Sequence, residues 1–320
     1  MYGLHEYGNM LRDRVRTQAY REAIDRHLRP DSVVLDLGAG TGAFALYAAI
    51  KGARKVYAVE TSPLIEYGRQ EAQRLGLGER IEFHHGSSQE FEPELRSNML
   101  ISDLRGALPF LGDAFAVLAD AKARLLTSDA TLMPQRDQLF AAPVEDFDWY
   151  KRDVESPWLH NDLELPMPLL REAEGSLPRR PPPRGLTPCF DGQRFATLDY
   201  TAPTPSFAPT TLSWTAQEKR TIHCYLLWFD AELVPGVGMS AAPGAKAPMV
   251  YGRLTLPLLQ PIELAAGDQL DLRLSVWPAG GDYAYTWTTT VRSADGSIRK
   301  QLRQHSAHEA FLAARTTGLA

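Results

Sequence analysis

The chain is poor in several residue types, and each shortage excludes something. It has two cysteines in 320 residues, Cys189 and Cys224. That is too few for a disulfide framework or a four-ligand zinc site, so two reduced thiols of a cytosolic protein are expected. None of the eight histidines pairs with Cys or Glu at metal-ligand spacing, and His84–His85 are adjacent; no metal is expected. No run of about 18 apolar residues exists to span a membrane. The opening MYGLHEYGNMLRDRVR lacks the apolar core of a secretory signal, so a cytoplasmic location away from membranes is expected. Basic residues cluster only as pairs such as Arg179–Arg180 and Arg299–Lys300, and the net charge is −5 with a pI near 5.9. A nucleic-acid partner is therefore not expected. There is no internal repeat.

What remains is an ordinary globular composition, 44% hydrophobic and 23% charged, in a chain long enough for two packed domains. Residues 9–28 carry Met10, Leu11, Val15, Tyr20, Ile24 and Leu28 among charges, which predicts an amphipathic helix ended by Pro30. Strand patterns follow at Ser32–Leu37, Lys55–Val59, Ile81–His84 and Met99–Ser102. Helical patterns over Gly42–Lys51, Pro63–Leu75 and Ala114–Leu126 lie between and after them. Repeated βα units with short links predict a doubly wound parallel sheet. Past about residue 135 the character changes. Pro178–Pro188 is proline-rich and should be extended. Strand-like runs then occupy Arg194–Tyr200, Ile222–Leu233, Gly252–Leu258, Asp271–Val276, Tyr283–Val291 and Ser297–Leu302, and His305–Leu312 suits a short helix. Turn signals between the runs predict an antiparallel sandwich or barrel. The expected domains are 1–135 and 136–320.

Residues 33–42, VVLDLGAGTG, run from the first strand into a turn. Gly38, Gly40 and Gly42 let the backbone bend tightly and let a ligand approach main-chain atoms. Asp36 places an acid before the turn. Glu60 closes the next strand, where a carboxylate accepts hydrogen bonds from both ribose hydroxyls and repels a 2′-phosphate. The order D-x-G-x-G-x-G differs from the G-x-G-x-x-G of dinucleotide enzymes. It predicts S-adenosyl-L-methionine rather than NAD, with Thr61, Ser88 and Gln89 completing the candidate cofactor set.

The sequence also resembles the protein arginine methyltransferases, type I in particular. That family's N-terminal segment runs approximately M-L-x-D-x-V-R-T-x-x-Y-R, and residues 10–21 are MLRDRVRTQAYR. Gly52–Val56 matches its G-A-R-K-V strand entry, and Ile222–Leu233 its first long barrel strand. The resemblance implies a Rossmann-like methyltransferase domain, capped on its cofactor by residues 1–30, followed by an antiparallel β-barrel. It implies that Met10 contacts the cofactor and that Arg16 pairs with its carboxylate, for which a planar guanidinium is suited. It further implies a homodimer built through an arm, here within 150–190.

The family's acceptor loop, S-E-x-x-G-x(5)-E, grips a substrate guanidinium with two glutamates. Here the loop is Ser102–Asp113, SDLRGALPFLGD: the first acid is Asp103, the second site is Gly112 with Asp113 after it, and Arg105 lies between. The family's T-H-W element is replaced by Val250–Gly252, with Tyr251 at the histidine position. The candidate catalytic residues are thus Asp103, Asp113, Arg105 and Tyr251. Two readings of the loop follow. Asp103 and Asp113 form a shorter clamp for a guanidino or amine nitrogen, or Arg105 holds a substrate carboxylate for methylation of oxygen on a peptide or natural product. The acceptor is accordingly a peptide, protein or small molecule. A non-catalytic S-adenosylmethionine-binding module is the rival class.

Overall fold

The single helix expected over 9–28 is broken in two. In the computed structural model, which describes residues 2–156, 158–182, 185–202, 208–245, 250–279 and 281–307, α1 (Leu4–Arg12) and α2 (Arg14–His27) meet at Asp13. Asp13 takes φ −67° and ψ 98°, and its carboxylate accepts the Arg16 amide at 3.1 Å. Such a side chain satisfies an otherwise orphaned N–H and starts a new helix. Apolar spacing runs through the break, so periodicity alone does not show it. Helix α2 buries Ala19, Tyr20, Ala23 and Ile24. Fully burying a side chain as apolar as Ile24 contributes about 1.5–3 kcal/mol.

The first sheet is parallel, in the order β3-β2-β1-β4-β5. Its strands are β1 (Val33–Leu37), β2 (Lys55–Glu60), β3 (Ile81–His85), β4 (Ser97–Ser102) and β5 (Leu126–Met133). Helices α3 (Ala43–Ile50), α4 (Ile65–Arg74) and α5 (Ala114–Arg124) connect them. Every residue of β1 is buried, as a central strand covered on both faces requires. The pattern of β5 hides it: Thr127, Ser128 and Asp129 interrupt its apolar residues and its middle is exposed. Chain order reverses between β1 and β4. A crevice opens there at the carboxyl ends of the strands, the general ligand position in such sheets.

From β6 (Arg136–Val144) onward the strands are antiparallel. One sheet runs β10-β9-β6-β7, with β11 also paired to β9; the other runs β14-β13-β12-β8. Their ranges are β7 Gln193–Asp199, β8 Thr210–Thr215, β9 Arg220–Val234, β10 Val237–Ser240, β11 Leu254–Leu264, β12 Gln269–Ala279, β13 Asp282–Arg292 and β14 Ile298–His305. His305 thus ends a strand instead of opening a helix, and residues 308–312 lie outside the described residues. One continuous hydrophobic core joins the parallel sheet to both antiparallel sheets.

Between β6 and β7 lie α6 (Phe147–Tyr150), a helical turn at Lys151–Glu155 and α7 (Pro168–Gly175). Helix α6 and the turn after it pack into a separate small core of Val144, Trp149, Tyr150, Val154, Leu186, Cys224 and Leu226. Cys224 is buried there as a free thiol, and Cys189 is free as well. Leu163 and Leu169 on this segment are 79% and 78% exposed. No helix among the described residues is long and apolar enough to cross a membrane.

Candidate cofactor and acceptor site

A cavity of about 830 Å³ opens at the carboxyl ends of β1, β2 and β4, within the size range of small-molecule sites. Eleven of the fourteen residues singled out in the sequence line it: Met10, Arg16, Asp36, Gly38, Glu60, Thr61, Ser88, Asp103, Arg105, Asp113 and Tyr251. Gly40, Gly42 and Gln89 do not. Gly40 instead makes room for a neighbour. It sits at φ +57°, and a Cβ there would fall 2.3 Å from the Tyr7 ring, so α1 closes over the turn only because that residue is glycine. The turn is tied to the adjacent strand by the Gly38 and Ala39 amides, which donate to the Val59 carbonyl at 2.9 and 3.1 Å.

The Glu60 carboxylate accepts the Gly40 amide at 2.8 Å and the Ser62 amide at 2.8 Å. It therefore bridges the ends of β1 and β2; Oε1 also accepts the Thr61 hydroxyl at 3.2 Å, and Oε2 keeps a second lone pair for a hydroxyl donor. Burial pushes the Tyr7 hydroxyl up to about 12, with the Glu60 charge adding to the effect.

Asp36 is 3% exposed. Burial raises its carboxyl to about 7, against the Ala45 amide bond and the Arg16 charge, which act in the opposite direction. A folded-state value above the unfolded one means that ionisation works against folding, so this part of stability is lost as pH rises from about 4 through about 7. Asp36→Asn keeps an acceptor for Ala45 and removes that cost. Its stability relative to wild type should therefore improve by about 2 kcal/mol between pH 5.5 and 8.5. Urea denaturation at both pH values checks this, and equal differences at the two would contradict it.

Arg16 lies over the Phe44 ring at 4.8 Å. Its Nε donates to Asp103 Oδ2 at 2.6 Å and to the Tyr251 hydroxyl at 3.1 Å. Tyr251 donates in turn to Asp103 at 2.6–2.7 Å. Burial by itself would raise the Asp103 carboxyl, but the Arg16 and Arg105 guanidiniums and the Tyr251 hydroxyl hold it below the usual carboxylate range. Asp13 completes the junction by accepting the Val250 amide at 2.6 Å through Oδ2. The N-terminal helices, the loop after β4 and the loop before β11 are thus joined through two aspartates.

Arg105 departs from its expected role. Its Nε and Nη2 donate to the two Asp137 oxygens at 2.9 and 3.1 Å. Nη1 donates to the Tyr20 hydroxyl and to Asp103, both at 2.9 Å. With its side chain 2% exposed, this guanidinium serves the domain junction, and no fork remains for a substrate carboxylate. The Asp137, Tyr20 and Tyr251 side chains outweigh the desolvation that would otherwise favour its neutral form, so it stays charged. Asp113 is different: it is exposed at the start of α5 and lines the cavity rim. The intervening Phe110 rests against Tyr283 of β13, ring centres 5.4 Å apart. That contact fixes the loop to the antiparallel half.

Asp137, Tyr20 and Tyr200 are the members of this network that sequence reading missed; Tyr200 donates to Asp137 at 2.7 Å. The available signal was weak. Asp137 is one acid near the start of the strand RDQLFAAPV, where alternation leaves its facing ambiguous.

Residues 34–129 match the family described as "Methyltransferase domain". Among curated proteins the chain is similar to the probable protein arginine N-methyltransferase 6 of Arabidopsis thaliana, 30% identical over 155 residues, 48% of this chain and 35% of that protein. It is 34% identical over 156 residues to protein arginine N-methyltransferase 1 of Schizosaccharomyces pombe, covering 48% of this chain and 45% of the relative. The match to the probable protein arginine N-methyltransferase 6.2 of Oryza sativa subsp. indica is longer, 27% identical over 240 residues, 72% of this chain and 60% of that one. The chain therefore spans between about a third and three-fifths of these relatives. Among solved structures, the Trypanosoma brucei PRMT1 enzyme-prozyme heterotetrameric complex with AdoHcy superposes with a TM-score of 0.82 at 21% identity, covering 95% of this chain and 98% of that one. Arabidopsis thaliana protein arginine methyltransferase 10 superposes at 0.78 and 20% identity, covering 95% and 97%. Residues 34–129 thus match a methyltransferase domain, in a chain with the two-part fold of the protein arginine methyltransferases.

Proposed function

We propose that this protein is an S-adenosylmethionine-dependent methyltransferase that transfers methyl to a guanidino or amine nitrogen of a peptide, protein or amino-acid-like acceptor. The observation that carries the reading is one cavity holding both halves of such a site. Glu60 and Gly38 of the glycine turn line it together with Asp103, Asp113 and Tyr251. The donors suit the cofactor. Glu60 Oε2 has a lone pair for a ribose hydroxyl, Arg16 the guanidinium for the methionyl carboxylate, and the turn at Gly38 the open backbone. Met10, Thr61 and Ser88 line the same space. Bound there, the cofactor would supply an electrophilic sulfonium methyl. The chain's own task is then alignment, since holding an acceptor in line within a closed site removes most of the entropic barrier.

The oxygen-directed alternative loses its specific motive, because Arg105 is committed to Asp137 and Asp103. The rival of a non-catalytic module is separated by turnover. Titration calorimetry should show S-adenosylmethionine binding, and Glu60→Ala should weaken it at least tenfold, about 1.4 kcal/mol. Unchanged affinity would contradict the assignment. Formation of S-adenosylhomocysteine with an acceptor panel then excludes the module.

The reading includes residues 1–135 as the cofactor half and 136–320 as the acceptor half, working in the cytoplasm as a homodimer. The dimer is supported by the exposed Leu163, Leu165, Leu169 and Leu170 of the segment around α7 and by the exposed Ile50 and Tyr67 of the parallel-sheet half. An apolar surface of that kind is characteristic of an interface. Light scattering at micromolar concentration should return twice the 35.6 kDa chain mass; a monomeric mass would remove this part.

A further inference from the structure

We infer that Arg105 is a specificity-determining residue that selects an amine over a guanidinium as the methyl acceptor. The inference rests on the methyltransferase reading and narrows its acceptor. Asp103 is the carboxylate best placed to hold a cation within the cavity, and it is already saturated. Arg16 takes Oδ2, Arg105 takes Oδ1, and the Tyr251 hydroxyl bridges both. Arg16, Arg105, Asp103 and Asp137 together carry no net charge, so this floor offers an incoming cation no attraction.

The other acids of the cavity have work of their own. Glu60 holds the Gly40 and Ser62 amides, and Glu6 holds the Gly3 amide on α1. Asp36 is buried on the Ala45 amide, with its carboxyl raised to about 7. Asp113 is the one left: it lines the cavity, is exposed, and its carboxylate makes no hydrogen bond or ion pair among the described residues. One rim carboxylate suits an ammonium, which is a compact point charge. A guanidinium is a planar fork that needs carboxylates along two edges, an arrangement this chain gives to its own Arg105.

Proton loss favours the same choice. Methyl transfer needs a lone pair on nitrogen. At pH 7 roughly one amine in 10³ is neutral, against roughly one guanidinium in 10⁶. Without a carboxylate pair to share the charge, that thousandfold difference stands. In the step itself the bound ammonium first gives one proton to water; its lone pair then forms the N–C bond as the methyl C–S bond breaks, the C–S electron pair going to sulfur. The new ammonium then releases its proton to Asp113 or to water.

The test uses the full chain with S-adenosylmethionine and two peptides identical except for one lysine or one arginine, reading S-adenosylhomocysteine. Wild type should show a kcat/KM at least tenfold higher for the lysyl peptide. Replacing both members of the buried pair, Arg105→Met with Asp137→Asn, releases Asp103 Oδ1 from its cation and should shrink that ratio at least tenfold. Because the ratio is taken within each variant, lost stability cancels. Asp113→Asn, an exposed change that leaves folding intact, should raise KM for the lysyl peptide at least tenfold. Equal or faster turnover of the arginyl peptide by wild type, or a lysyl KM unmoved by Asp113→Asn, overturns the inference and leaves the methyltransferase reading standing. No S-adenosylhomocysteine with either peptide, while cofactor binding is intact, overturns the inference and favours the binding module.

Discussion

Asp137→Ala should destabilise the protein by about 3–5 kcal/mol, because it strips a buried guanidinium of its bidentate partner. Asp137 is fully buried and Arg105 is 2% exposed at the side chain. With Asp137 gone, Arg105 keeps only Tyr20 and Asp103, and the Tyr200 hydroxyl loses its acceptor. Total stabilities run to about 5–15 kcal/mol, so the variant should be marginal, with Tm falling on the order of 10 °C. Removing both charges differs from removing one. Arg105→Met with Asp137→Leu replaces the pair by apolar volume and should recover most of the loss. Urea denaturation of the single and double variants checks this. A single-variant loss under about 1 kcal/mol would mean that the pair is not sealed from water.

The second large effect is on cofactor affinity. Arg16→Ala should weaken S-adenosylmethionine binding at least a hundredfold, about 2.7 kcal/mol. Two losses combine. The guanidinium assigned to the methionyl carboxylate disappears, and Asp103 loses one of the two cations that hold it ionised. A carboxylate pressed toward an anionic cofactor end adds repulsion. Arg16→Lys should restore only part, since an ammonium cannot serve Asp103 and a carboxylate in one plane or cover Phe44 as well. Calorimetric titration of both variants measures this, and a change below tenfold for Arg16→Ala would sink the role given to Arg16.

Much of this site was legible because it is local. A strand, a glycine turn and an acid closing the next strand are set by neighbours in sequence, so VVLDLGAGTG and Glu60 pointed to the place where the cavity opens. The helix break at Asp13 was present in composition, yet the apolar spacing on both sides obscured it. Strand β5 was hidden for a related reason, as its polar middle is exposed and only its ends pack.

The sequence by itself determined the parallel βα half, the antiparallel second half and most of the residues that come to line the cavity. Each follows from periodicity, turn chemistry or short spacing. Tertiary structure alone decided what the loop at 102–113 does. The loop had two readings in sequence, an acidic clamp of Asp103 and Asp113 or an Arg105 that anchors a substrate carboxylate, and neither gave Arg105 an internal partner. The choice depended on Asp137, 32 positions away, and on Tyr20, 85 positions away. No local pattern encodes such a contact, because a buried charge is assigned its partner by packing, where desolvation makes any unpaired alternative too costly.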